Sequence, residues 1–175
     1  MDDHDAVVGQ LGRPLRSAIG VAARCHLGLP VVVTVPPLLD DGTPFPTRSW
    51  LTCPLARRRI GRLEADGGVA AAQHRIDTDP HFAAAYQRAM ERYAAERDVL
   101  LDPAYPGPVP TGGVGGSGGG VKCLHAHYAD HAAGNDNPVG AALAPEVDPF
   151  ECVVPCVAVV DGRPGPNPEW SEPHR

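Results

Sequence analysis

Aromatic side chains are scarce: Phe, Trp and Tyr together make up 5% of the chain. Gly and Pro, by contrast, contribute twenty residues each, which predicts long irregular connections between short elements. Lysine is nearly missing, with Lys122 alone against fourteen arginines. No apolar run is long enough to span a bilayer as a helix. The opening stretch MDDHDAVVGQ lacks the basic and apolar regions of a secretory signal, so a cytoplasmic setting is expected. Positive charge is not in excess: the net charge of −6 argues against non-specific nucleic-acid binding. No internal repeat is visible, and no G-x-x-x-x-G-K-[ST] phosphate loop, because Lys122 is followed by Cys123.

What remains is a chain of 175 residues with five cysteines and eight histidines. That length suits one domain, expected over residues 1–161, with a Pro-rich disordered tail over 162–175. The expected class is α+β, a small sheet covered by helices. Alternation and Gly/Pro boundaries predict strands at Ser17–Cys25, Val31–Val35 and Arg48–Leu51, and an edge strand at Phe150–Val160. Helices are predicted from Asp5 to Leu11, from Pro54 to Asp66, and weakly from Val69 to Ile76. Pro54 at the first helical position places Cys53 at the cap. Phe82, Tyr86, Met90 and Tyr93 recur at helical spacing, so Asp79-Pro80 opens a helix reaching about Leu101. Arg57, Arg58, Arg59 and Arg62 read as a solvated basic face. Gly112–Gly120 reads as a flexible connector. Beyond it, Cys123–Ala133 is free of Gly and Pro and stops at Gly134. A short helix is expected at Ala141–Leu143.

The chemistry concentrates at Lys122-Cys123-Leu124-His125-Ala126-His127. Helical periodicity puts Cys123, His127 and His131 on one face and turns His125 away. A thiolate at a helix start is favoured by the unpaired N–H groups. Cys123, His125 and His127 do not match the paired motifs of a zinc finger, but zinc needs only four soft or borderline donors converging in space. Cys53 and Cys25 are the best further thiols, with Cys152, Cys156 and His131 in reserve. The expected ligand set is therefore Cys25, Cys53, Cys123, His125 and His127, with zinc preferred over an iron–sulfur cluster because of the histidines. Lys122 is the candidate anion-binding group, unless it is a chance survivor of an Arg-rich background. Two alternatives stay open: a thiol enzyme with Cys123 or Cys53 as nucleophile on a phosphorylated or acyl substrate, and a helix with no chemistry of its own.

The run DGTPFPTRSWLTCP at residues 41–54, GGVKCLHAHYA at 119–129, NPVG at 137–140 and the Arg-Cys-x-x-Gly-x-Pro element at 24–30 together resemble a bacterial family known as domain of unknown function 501. The likeness covers about residues 11–160. Two departures are His26, where that pattern has proline after the cysteine, and an enlarged glycine run. The resemblance implies no established activity. It points to Cys25, Cys53, Cys123, His125 and His127. It also implies genes lying near a septum-formation initiator and an exopolyphosphatase, hence a protein partner in cell-envelope or polyphosphate physiology.

Overall fold

The most regular segment of the chain is also the one that ties its layers together. In a computed structural model describing residues 1–173, α4 runs from Pro80 to Asp98. Asp79 caps it by accepting from the N–H groups of His81 and Phe82, and Pro80 occupies its first turn. Its stripe of Phe82, Tyr86, Met90, Tyr93 and Arg97 is buried. The Tyr93 hydroxyl accepts from the N–H groups of Arg48 at 2.6 Å and Ser49 at 3.2 Å, pinning the helix to the start of a strand.

That strand, β3 (Ser49–Leu51), pairs antiparallel with β2 (Pro30–Thr34), which pairs antiparallel with β1 (Gly20–Arg24). The order β1-β2-β3 puts β2 in the centre, where its valines are buried. Val31 and Val32 join the main core with residues of α2 (Pro54–Ala65), α4, α5 (Leu124–Ala132) and α6 (Pro138–Val147). Val33 packs instead with Val7 of α1 (Asp3–Leu11) in a second cluster. The fold is therefore α+β, a three-stranded sheet covered by helices. α3 spans Gly68–Thr78, and β4 (Val157–Val160) forms an antiparallel hairpin with β5 (Arg163–Pro166).

Several expectations are corrected. The disordered tail is not what residues 162–173 show: β5 lies there and Trp170 packs on the main core. Positions 174 and 175 of that expected tail lie outside the described residues. The strand expected over residues 150–160 is confined to β4; Pro155 lacks the N–H a ladder needs, and 149–156 form no regular pairing. α6 is longer than expected because Asn137 caps it through the Gly140 N–H at 3.0 Å and Pro138 opens it. Of the arginines of α2, Arg57, Arg58 and Arg62 are exposed, as a solvated basic face requires, but Arg59 is not. Arg59 is 4% exposed and donates to the carbonyls of Val147 at 2.5 Å and Pro149 at 2.8 Å. Nor is the glycine run a loose connector: Val114 within it is 1% exposed, and Ser117 bonds the Gly120 carbonyl at 2.6 Å. Gly116 takes φ +70° there, and a Cβ on it would meet the Pro46 ring at 2.7 Å.

Candidate metal centre

α5 begins at the seam between α2 and the glycine loop. Cys123 caps it in an extended conformation, φ −157° and ψ 143°, and its sulfur accepts from the Ala126 N–H at 3.4 Å. A second acceptor arrives from α2: Glu64 Oε1 takes the Leu124 N–H at 2.6 Å. Two negative or polarisable groups thus share the positive end of one helix.

His125 completes the group. Its Nδ1 lies 3.2 Å from the same Glu64 Oε1, and its Nε2 lies 3.2 Å from the Arg57 carbonyl oxygen. A carbonyl can only accept, so Nε2 carries a hydrogen. In the neutral imidazole the Nδ1 lone pair then faces a carboxylate oxygen, and two acceptors in contact require a proton or a cation between them. The donor atoms of Glu64, Cys123 and His125 all lie within 4.8 Å of one another. The Cys123 side chain above all, with Glu64 assisting, holds the His125 imidazole above its ordinary value; burial works the other way. A cleft of ≈ 330 Å³ opens onto Cys123 and His125, and Arg13, Trp50, Arg57 and Gly115 also line it.

The remaining expected residues sit elsewhere. His127 is buried, and its Nδ1 faces Asn137 Oδ1 at 3.2 Å. Asn137 in turn donates to Asp130 at 2.9 Å, and Asp130 pairs with Arg92 at 2.5 Å. Burial lowers the His127 pKa from its ordinary value. Cys53 does cap α2, as expected, but it is buried in the core, and burial pushes its thiol up to about 12. Cys25 is half-buried beyond the end of β1. Lys122 is exposed, so the cations beside the cleft are Arg13 and Arg57. The periodicity argument paired Cys123 with His127; Cys123 is the cap rather than a helical residue, so its side chain meets His125 instead. Glu64 escaped notice because nothing in the sequence distinguishes it among twenty-one acids.

The fold and the group define a class: an α+β protein with a cysteine, a histidine and a glutamate converging at a helix start. The family model described as "Protein of unknown function (DUF501)" matches residues 21–144, well over half of the chain, and the chain belongs to that family. The matched segment contains Cys25, Cys53, Glu64, Cys123 and His125, whereas Cys152 and Cys156 fall beyond it. No curated protein and no solved structure matches the chain.

Proposed function

We propose that this chain binds one divalent transition-metal ion, zinc by preference, through Glu64, Cys123 and His125. The observation that carries the reading is the His125 ring: Nε2–H is held by the Arg57 carbonyl, which leaves Nδ1 directed at the Glu64 carboxylate with Cys123 alongside. Orientation of a ligand histidine by a carbonyl on its far nitrogen is a regular feature of such sites. The mixed sulfur, nitrogen and oxygen donors suit zinc. Three protein donors leave a fourth position open toward the cleft, where a water or an anionic group near Arg13 and Arg57 fits. All five cysteines are free, which accords with a reducing, cytoplasmic setting.

A second reading rests on the same contact. An imidazolium at His125 satisfies both ring nitrogens without a metal and sets a cation beside Cys123, the pairing found at reactive thiols. Elemental analysis with alkylation kinetics separates the two. Zinc at one equivalent for this group, lost in Cys123→Ser and His125→Ala, supports the metal. Metal-free protein in which iodoacetamide labels Cys123 rapidly near neutral pH overturns it in favour of the thiol.

A further inference from the structure

The other four cysteines come from three distant parts of the chain and gather at one end of the three-stranded sheet. Cys25 follows β1, and its N–H bonds the Leu29 carbonyl at 3.0 Å, in the turn that leads into β2. Cys53 follows β3, and its N–H reaches the Val31 carbonyl of β2 at 3.4 Å. Cys156 is tied to the same strand end by Gln10, whose Nε2 donates to the Pro30 carbonyl at 2.8 Å and to the Cys156 sulfur at 3.7 Å. Cys152 lies on the same loop, where its carbonyl oxygen meets His26 Nε2 at 2.9 Å and its sulfur accepts from Trp170 Nε1 at 3.4 Å.

We propose that Cys25, Cys53, Cys152 and Cys156 form a second metal site, a tetrathiolate that holds zinc and fastens the C-terminal hairpin to the sheet. It shares no donor with the Glu64–Cys123–His125 group, although His125 also lines the cleft beside Cys156. Four sulfurs without histidine or carboxylate are the donor set of a closed structural zinc site. Two of the sulfurs already accept N–H groups, from Gln10 and Trp170, the kind of outer support that ligand sulfurs receive.

No three of these sulfurs all lie within 4.8 Å of one another. Binding therefore draws in residues 149–156, the segment that forms neither helix nor strand. Val153 there is 90% exposed. On binding, four S–H bonds break, four Zn–S bonds form and four protons pass to solvent, leaving a site of net charge −2. Arg58, stacked 4.8 Å from the Trp170 ring centroid, lines a cleft of ≈ 420 Å³ with Arg57, Gln10 and Cys156; that cleft offers both an entry path and compensating charge.

The test uses full-length protein and zinc. One equivalent of zinc should survive Glu64→Gln and be lost from Glu64→Gln carrying Cys152→Ser or Cys25→Ser. Cobalt(II) loaded into Glu64→Gln protein should show sulfur-to-cobalt charge-transfer absorption at the strength of four thiolates. Retention of that zinc in the cysteine variants, a cobalt spectrum of fewer thiolates, or bound iron in its place overturns the proposal. So does a disulfide among these four residues in the intact mass of metal-free protein. Because a serine variant can fail to fold, the natural chain supplies another reading. Cys25 and Cys152, both half-buried, should resist iodoacetamide with zinc bound and react once a chelator is added; equal labelling with and without chelator would overturn the assignment.

Discussion

One oxygen atom carries much of the candidate site. Glu64 Oε1 caps the first free N–H of α5 and faces His125. The two roles come apart in substitution. Glu64→Gln keeps an oxygen for the Leu124 N–H but removes the charge. Its metal-free form should match the natural protein in stability to within about 0.5 kcal/mol, while zinc affinity falls by more than the roughly 10–100-fold typical of outer-shell changes. Glu64→Ala should add the loss of the cap, about 1 kcal/mol. Chelator-treated unfolding and zinc titration read the two effects separately. Tyr93 offers a pH test at the same scale. Burial pushes its phenol from an ordinary 10 up to about 12. The neutral form is the one the fold holds, so this contribution is complete below pH 10 and is lost as pH rises through 12. Tyr93→Phe should flatten that alkaline loss. It should also cost about 1–3 kcal/mol at neutral pH, because the N–H groups of Arg48 and Ser49 lose their acceptor. An unchanged alkaline slope would show that Tyr93 is not responsible. At this scale the sequence disclosed Cys123 and His125 through their types and closeness, but not Glu64, whose approach depends on α2 passing the start of α5.

Among the elements, α2 shows how side chains of one type diverge once a helix is packed. Its arginines read alike in sequence, yet Arg58 stacks on Trp170, Arg62 pairs with Glu172 and Arg59 enters the core. Arg59→Ala leaves two carbonyls at the end of α6 without their charged donor and should destabilise by about 3 kcal/mol. Thermal unfolding should then fall by about 6–12 °C; a shift under 2 °C would mean that water replaces the guanidinium. The glycine loop makes a comparable prediction. Gly116→Ala combines a left-handed φ with contact against Pro46 and should cost about 1–2 kcal/mol or more. A neutral result in chemical denaturation would restore the flexible connector that composition suggested. The long periodic helix α4 was legible before folding because its stripe, cap and first proline agree. The hairpin β4–β5 was not: Arg163–Pro166 contains two prolines and a glycine and pairs only because β4 lies beside it.

For the molecule as a whole, the C-terminal segment is part of the structure rather than an appendage. Trp170 packs on the main core and on the cluster around Cys156. Trp170→Ala should therefore cost about 2 kcal/mol, and the melting temperature should drop by about 4–8 °C. A chain ending at Asp161 should lose more, since β5 goes as well; unchanged melting in either would make the segment dispensable. Composition and pattern alone determined the α+β class, the core stripe of α4, the helix start at Cys123 and the family, because these depend on local spacing and on residue types. Tertiary structure alone decided which thiols and imidazoles can act together. Periodicity grouped Cys123 with His127 and invited Cys53 to join them. Folding instead places Cys123 as a cap beside His125 and Glu64, turns His127 into a buried network with Asn137, and sends Cys53 to the sheet end with Cys25, Cys152 and Cys156. A shared site depends on distances between residues as far apart in the chain as Cys25 and Cys156, and such distances are set by how helices and strands pack, not by their own sequences.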